Sequence, residues 1–192
     1  MMSGAAAAET TPAQQQIPRS KSQSFVEYII KRCQADKGVR AALRRADNPA
    51  TEYQSWEILA GFNINLEYDN QRLPYATIAA AIAREEVDKN GSLGIGLAIA
   101  RCYEDGQASD QAKAKLRRLL ASDNVPEVCR IIRPLFSLIA ARAALKLNYA
   151  QILDDLLWFG REENQNHIKA RWAQDFYGRS APVELSQEEV HQ

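Results

Sequence analysis

The sequence has few of the residues that most often carry enzymatic or metal chemistry. Its 192 residues include two histidines, His167 and His191, and three cysteines, Cys33, Cys102 and Cys129. No two of these side chains have the spacing of zinc ligands. His167 begins a polar helical segment, and His191 is one residue from the end. We therefore expect no metal site and no cofactor.

Long apolar runs are also missing. No stretch of about 18 apolar residues occurs, so no membrane-spanning helix is predicted. The start, MMSGAAAAETTPAQQQ, lacks the basic and apolar regions of a secretory signal and is typical of a disordered tail. The cysteines stand singly among apolar helical residues, which is typical of buried free thiols in a reducing compartment. We expect a cytoplasmic protein that does not bind a membrane.

Acidic pairs and phosphate-binding loops occur only in forms that do not favour catalysis. Asp154 and Asp155 are adjacent, so on a helix their side chains point about 100° apart, and we expect both on the surface. GSLGIG, at residues 91–96, neither follows a predicted strand nor leads into Lys-Ser/Thr, so we interpret it as a turn into a helix capped by Ser92. No catalytic residue, no small-molecule substrate and no enzyme activity are predicted.

Helical periodicity runs through most of the chain. Apolar residues recur three and four positions apart, as in the segments 25–33, 128–139 and 168–176. FNINLEYD, at residues 62–69, alternates like a strand, but no partner strand is visible, so we interpret it as an extended connector. The predicted fold class is all-α, a two-lobed helical bundle of about eight or nine helices.

Composition also predicts where the chain divides. GQASD, at residues 106–110, is the best internal boundary. It separates an N-terminal helical lobe, 24–106, from a C-terminal helical bundle lobe, 107–178. Residues 1–23 are predicted to be a disordered tail. Residues 179–192 are predicted to be an acidic flexible tail, because no lysine or arginine follows residue 179.

Polar residues and prolines predict helix ends. Four pairs have the spacing of a capping box: Ser24–Glu27, Thr51–Gln54, Asn124–Glu127 and Asn148–Gln151. Pro74 is expected in the first turn of its helix, where the missing N–H costs nothing. Pro134 lies inside the longest helical segment and is predicted to kink it.

Positive charge is concentrated in short helical segments, although the formal net charge is zero. The windows 111–122 and 128–153 each contain four cations and no acidic residue. A solvated helix usually mixes Glu with Lys to gain i,i+4 pairs, so neighbouring unpaired cations indicate a bound anion. The candidate contacts with nucleic-acid backbone from these windows are Lys113, Lys115, Arg117, Arg118, Arg130, Arg133, Arg142 and Lys146. Lys37, Arg40 and Arg44 are candidates too, because their spacing of three and four places them on one helical face.

Such rows fit a phosphate backbone, because each cation neutralises a phosphate and releases a counterion, but they do not read base sequence. A plain solvated helix face is the simplest alternative. A helical protein-interaction adaptor, whose basic helices dock on acidic protein surfaces, is another, and an unrecognised enzyme is a third.

Aromatic residues limit the kind of contact that is expected. Trp56, Phe136, Trp158, Trp172 and Phe176 fall on the apolar stripes of their helices and are predicted to lie in the core. Binders of single strands usually stack bases on exposed aromatics. We therefore expect contact with phosphate and sugar rather than base stacking.

The order of several motifs resembles one family from about residue 24 to residue 178. The motifs are KGVRAALRRAD, WEILAGF, RLPYATIAAAIAR, NGSLGIGLAIARCYEDG, KLRRLLASDN, EVCRIIRPLFSLI, YAQILDDLLWF and RWAQDFYG. Together they resemble the CasB family, the small subunit of the type I-E CRISPR surveillance complex, Cascade. The resemblance implies an all-helical, two-lobed, non-catalytic subunit that is present in two copies.

The same resemblance implies partners and site residues. The partners are the backbone and large subunits of Cascade, a second copy of the chain, guide RNA and target DNA with its displaced strand. Basic helices of the family correspond here to Arg40, Arg44 and Arg45, to Lys113, Lys115, Arg117 and Arg118, and to Arg130, Arg133 and Arg142. Around the last helix the corresponding cations are Arg161, Lys169 and Arg171, interrupted by Glu162 and Glu163.

Overall fold

A computed structural model of the chain describes residues 20–143 and 146–178, with the side chain of residue 143 left aside. Within these ranges it has nine α-helices: α1 Lys21–Ala35, α2 Lys37–Leu43, α3 Trp56–Gly61, α4 Asp69–Arg84, α5 Ile95–Arg101, α6 Asp110–Leu120, α7 Val125–Ala143, α8 Tyr149–Trp158 and α9 Glu162–Tyr177. Short 3₁₀ helices span Glu52–Ser55 and Gly106–Ala108. The predicted all-α fold is confirmed.

No strand occurs in the described ranges. Residues 62–68 form turns and bends that lead into α4, with Asn63 in the left-handed region, rather than the expected extended connector. An isolated parallel bridge joins Leu93 to Leu147. The Asn148 N–H donates to the Leu93 carbonyl at 2.9 Å, which ties the chain before α5 to the chain before α8. The predicted tail 179–192, and 1–19 of the predicted tail 1–23, lie outside the described residues.

Helix α4 is the central element of the fold. Every residue from Pro74 to Ala83 is buried, and a helix that is apolar all round has to be surrounded by protein. Five alanines in this run keep the helix narrow, so α1, α7 and α8 pack directly on it, with α2 at its end.

Pro74 and Pro134, the two prolines with predicted positions, both lie inside long helices. α4 begins at Asp69, so Pro74 lies in the second turn rather than in the predicted first turn. The earlier start is stabilised by Arg72, whose guanidinium bonds to Asp69 at 2.7 Å, to the Leu66 carbonyl and to Glu52. α7 continues through Pro134.

Two further predicted helix starts, those of α1 and α5, are wrong. α1 begins four residues earlier than expected, because Ser20 and Gln23 form the capping box instead of Ser24 and Glu27. Residues 20–23 therefore belong to this cap and helix rather than to a tail. α5 is preceded by Gly94 rather than Ser92.

The predicted caps of α7 and α8 are confirmed. Asn124 accepts from the Glu127 N–H at 2.9 Å, and Asn148 accepts from the Gln151 N–H at 3.1 Å. Thr51 does not cap with its side chain; its hydroxyl donates to the Arg45 carbonyl at 3.1 Å.

Packing crosses the predicted division between the lobes 24–106 and 107–178, which stays a prediction. α5 lies before the boundary, yet it packs on α6, α7 and α9. α1 and α4 pack on α8 from the other side of the boundary. One continuous set of buried apolar side chains extends from Phe25 to Phe176.

The α5–α9 contact is unusually close because residue 96 is glycine. A Cβ built at Gly96 would stand 2.0 Å from the Trp172 carbonyl oxygen and 2.8 Å from the Phe176 nitrogen. The two helix backbones therefore touch without an intervening side chain, and α9 is positioned directly against α5.

Cys33, Cys102 and Cys129 are buried free thiols, as predicted. Burial raises the pKa of all three, and that of Cys129 to about 11. With a raised pKa, these thiols are protonated at neutral pH. Since the thiolate is the reactive form, we expect all three to be poor nucleophiles.

Candidate nucleic-acid interface

The four cations of α6 (Lys113, Lys115, Arg117 and Arg118, the α6 group) flank the buried stripe of their helix. Ser109 caps the helix by accepting from the Ala112 N–H, and Ala112, Leu116 and Leu119 face the core. Lys115, Arg117 and Arg118 are exposed, and no carboxylate of the described residues pairs with them. Within the α6 group, these three cations are therefore the ones best placed to bind an external anion.

Lys113 differs from the other three because its charge is used locally. Its ammonium donates to the Ala108 carbonyl at 2.9 Å and lies 3.6 Å from the Asp110 carboxylate. Both contacts close the turn in which α6 begins. Lys113 therefore belongs to the structure of the helix start as much as to its surface.

The α2 group consists of Lys37, Arg40, Arg44 and Arg45, on α2 and the turn that follows it. Arg40 and Arg44 both pair with Glu86, at 3.3 and 2.6 Å. The Arg44 Nε also donates to the Ala83 carbonyl at 3.0 Å. These contacts hold α2 against the end of α4, so Arg40 and Arg44 already share a carboxylate partner.

Lys37 and Arg45 are the members of the α2 group without a carboxylate partner among the described residues. Arg45 donates to the neutral amide of Gln54 at 3.1 Å, and Lys37 is exposed at the start of α2. The Arg44–Glu86 pair is itself largely exposed, and such pairs contribute little to stability, so Arg44 can exchange its partner at small cost.

Asp47 joins the region after α2 to two other helices. Its carboxylate accepts two bonds from Arg84 of α4, at 2.9 and 3.0 Å, and lies 3.9 Å from the Nε of Arg133 of α7. The structure therefore brings Arg133 to the same part of the surface as the α2 group. Arg84 was not among the predicted nucleic-acid contacts; two glutamates follow it directly in the sequence.

The remaining cations of the long acid-free window also have partners. Arg130 lies 3.7 Å from Glu127, and Lys146 lies 2.8 Å from Asp88. The bond from Lys146 lowers the pKa of Asp88. The Arg142 guanidinium lies 4.9 Å from the ring centroid of Tyr103. Cations in a window without acidic residues therefore still contact carboxylates that lie outside the window in the sequence.

The cations around α9 are similarly occupied. Lys169 lies 3.8 Å from Asp123, and Arg171 bonds to the buried carboxylate of Asp155. Arg161 lies over the indole of Trp158, 4.4 Å from the ring centroid. Of these three cations, Arg161 alone lacks a carboxylate partner among the residues that the structure describes.

Asp155 is not on the surface, contrary to expectation. It is 3% exposed and accepts from Gln151 at 2.9 Å, from the Trp172 indole at 2.7 Å and from Arg171. Burial raises the pKa of this carboxyl. Asp154 is half-buried and accepts from the Ser22 hydroxyl at 2.5 Å. The two carboxylates point into different surroundings.

The aromatic prediction is correct for three residues and wrong for two. Phe136, Trp172 and Phe176 are buried, whereas Trp56 is 41% and Trp158 is 47% exposed. Both exposed tryptophans stand at helix ends, Trp56 at the first residue of α3 and Trp158 at the last of α8. A helical stripe predicts burial poorly there, because the neighbouring helix no longer covers the side chain.

The predicted cations thus form separate regions. α6 packs on α5, α7 and α9, whereas α2 packs on α1, α4 and the 3₁₀ helix Glu52–Ser55.

In the described part of the chain, no group of three His, Cys, Asp or Glu side chains is arranged to hold a metal ion. No described helix is long and apolar enough to cross a membrane.

Comparison with known proteins gives a consistent result. The family model for the CRISPR-associated protein Cse2 matches residues 39–177. A CRISPR-associated protein Cse2 from Thermus thermophilus is 28% identical over 179 residues, which are 89% of this chain and 98% of the relative.

Solved structures share the fold. The crystal structure of a Cse2-family CRISPR-associated protein from Thermus thermophilus aligns with a TM-score of 0.68 and 23% identity, over 84% of this chain and 100% of the other. A chain of a CRISPR RNA-guided surveillance complex aligns with a TM-score of 0.64 and 21% identity, over 81% of this chain and 91% of the other. At these identities the likeness concerns the fold alone.

Proposed function

The chain belongs to the CRISPR-associated protein Cse2 family, and from this membership we propose that it is the non-catalytic small subunit of a cytoplasmic type I-E Cascade complex. In that role it holds the backbones of guide RNA, target DNA and the displaced strand, and it stabilises the opened target in antiviral defence. The partners in this proposal are the backbone and large subunits and a second copy of the chain. A fold shared with a chain of an RNA-guided surveillance complex supports it.

One observation carries the nucleic-acid part of the proposal. Lys115, Arg117 and Arg118 are exposed on one short helix, and the described residues offer them no carboxylate. Such a surface binds phosphates without reading bases, which suits a subunit of a machine whose guide RNA supplies the sequence recognition. Arg117 and Arg118 also stand in the last turn of α6, where cations interact favourably with the helix dipole. The helix dipole therefore gives Arg117 and Arg118 a local stabilising role as well, whereas Lys115 is not in the last turn.

The α2 group is a second contact surface in the proposal. Lys37 and Arg45 are its available charges, and Arg40 and Arg44 join when Glu86 releases them. Arg130, Arg133, Arg142, Lys146, Lys169 and Arg171 contribute less in this proposal, because each already contacts a carboxylate or an aromatic ring.

The test is a titration of the full-length protein with single-stranded DNA, duplex DNA and RNA over a series of salt concentrations. Each phosphate contact on a single strand contributes about 0.7 to the slope of log affinity against log salt. Replacing Lys115, Arg117 and Arg118 with Ala should therefore make the slope less steep by roughly 2.

The matched control is the triple variant Arg130→Ala, Lys146→Ala and Lys169→Ala. It removes the same total charge, but from cations that already have carboxylate partners. Its slope should stay close to that of the wild type. Equal effects of the two variants would show that net charge, not the α6 surface, governs binding. Unchanged binding by the α6 variant, together with its failure to enter the assembled complex, would favour the protein-interaction adaptor instead.

A further inference from the structure

A cleft of about 690 Å³ lies between the start of α1, the connector before α4 and the end of α8. We call it the aromatic cleft, and its lining includes Lys21, Tyr68, Trp158 and Arg161. Its volume falls in the range of about 300–1,000 Å³ that is common for sites of small ligands. It is separate from the α6 group, since α6 packs on α5, α7 and α9 and not beside this cleft.

Two large aromatic side chains are exposed in the aromatic cleft. Tyr68 is 65% exposed and Trp158 is 47% exposed. The Arg161 guanidinium lies over the Trp158 indole, 4.4 Å from the ring centroid. This cation–π contact orients the ring and places a positive charge beside it in the cleft. An indole held in this way presents a flat surface at little cost in side-chain entropy, which is what stacking on a planar ligand requires.

The charged groups of the cleft favour an anion near the aromatic rings. Neither Lys21 nor Arg161 has a carboxylate partner among the described residues, whereas the Asp154 carboxylate accepts from the Ser22 hydroxyl at 2.5 Å. The balance of these three charges is positive. The lining also includes the uncharged amides of Asn65, Asn70 and Gln71. The side-chain oxygens of Asn65 and Gln71 already accept backbone N–H bonds, so these two amides offer their N–H donors to the polar edge of a planar ligand.

We propose that the aromatic cleft binds one unpaired nucleotide of a single-stranded nucleic acid. The base stacks on Trp158 and Tyr68, and the flanking phosphates lie on Lys21 and Arg161. The inference rests on the proposed function for the class of ligand, but it assigns a different site and a different interaction. It reverses the expectation of pure phosphate and sugar contact, because that expectation assumed that Trp158 was buried.

Lys21 and Arg161 contact aromatic rings, at 5.9 Å from the Tyr75 centroid and 4.4 Å from the Trp158 centroid, but not a carboxylate of the described residues. Exposed aromatics beside such cations favour this ligand over an acidic protein segment. An acidic segment would use the two cations but has no need of two exposed rings. Stacking is tolerant of sequence, because every base has a flat face. The site therefore fits a subunit that holds a strand without reading it.

The test compares two oligonucleotides of equal length, one of thymidines and one of abasic residues, which carry the same phosphates. Stacking of one base predicts that the full-length protein binds the thymidine oligonucleotide about 5- to 150-fold more tightly. Trp158→Ala and Tyr68→Ala should each bring this ratio close to one, and Trp158→Phe should retain part of it. Circular dichroism and a thermal melt establish that each variant is folded.

The chain offers a matched control pair. Trp56 and Tyr53 are 41% and 60% exposed, close to the values for Trp158 and Tyr68, but they lie outside the aromatic cleft. Trp56→Ala and Tyr53→Ala should leave the ratio unchanged. The α6 triple variant should weaken the binding of both oligonucleotides alike and also leave the ratio unchanged.

The outcomes separate this inference from the proposed function. A ratio near one in the wild-type protein, with binding that still depends on the α6 group, overturns the stacking site and leaves the proposed function standing. A ratio that survives Trp158→Ala also overturns the site. Loss of complex assembly in Trp158→Ala, with no change of the ratio, means that a protein subunit occupies the cleft. Binding of neither oligonucleotide would overturn both proposals.

Discussion

The indole N–H of Trp172 donates a hydrogen bond of 2.7 Å to the carboxylate of Asp155. The bond joins α9 to α8 in the interior, where both side chains are almost completely buried. Gln151 and Arg171 complete the set of donors around the same carboxylate. A buried carboxylate with three donors fixes the relative position of two helices more specifically than apolar packing alone.

Replacing Asp155 with Ala should lower the free energy of unfolding by roughly 3 kcal/mol, because the variant leaves the buried Trp172 N–H without an acceptor and Arg171 without its partner. Chemical denaturation of the two proteins measures the difference. Asp154→Ala is the matched control, since its carboxylate is half-buried and its side-chain donor is the Ser22 hydroxyl. It should cost about 1 kcal/mol. Equal costs for the two variants would show that the Asp155 hydrogen bonds add nothing beyond those of a partly exposed aspartate.

Asp155 should also make stability depend on pH in a particular direction. Burial raises the pKa of its carboxyl, so between the unfolded value of about 3.9 and the raised folded value the native protein binds more protons than the unfolded chain. The contribution of this group to stability is therefore greatest below about pH 3.9 and is lost as the pH rises through the folded pKa.

The measurement compares the wild type with Asp155→Asn, which removes the titration and keeps the size of the side chain. The free energy of unfolding of the wild type minus that of the variant should fall with rising pH and then level off. Denaturant titrations at several pH values provide the curve. A difference that grows with pH would mean that the bonds from Trp172 and Arg171 lower the pKa more than burial raises it.

Gly96→Ala should destabilise the fold by about 3 kcal/mol, because a Cβ at this position overlaps the backbone of α9 and forces the two helices apart. Thermal and denaturant unfolding test the effect. Gly61→Ala is the control, since no atom beyond its chain neighbours and its own helix backbone lies within 4 Å of its added Cβ. That change should be neutral or stabilising by up to about 1 kcal/mol. A Gly96 variant as stable as the wild type would show that α5 and α9 are free to separate.

The pairing of the cations illustrates what local sequence does not contain. Arg44 meets Glu86 from 42 positions away, and Arg84 meets Asp47 from 37 positions away. An acid-free window excludes ion pairs between its own residues, but it does not reveal carboxylates just before the window, such as Asp110 and Glu127, or those brought near by the fold, such as Asp88. The selection of Lys115, Arg117 and Arg118 as the available charges depends on these long-range contacts.

The sequence by itself determined the local elements of this protein: its helical segments, the caps at Asn124 and Asn148, the absence of a strand over residues 62–68 and the burial of the three cysteines. Periodicity and capping act over a few residues, so they can be read from neighbouring positions in the chain. Only the tertiary structure decided that Asp155 is buried, that Trp158 and Tyr68 line an open cleft, and which cations remain without a carboxylate among the described residues. Those properties depend on which helix lies beside which. The close approach of α5 and α9 at Gly96 and the packing of several helices on α4 establish that arrangement through contacts between residues far apart in the chain.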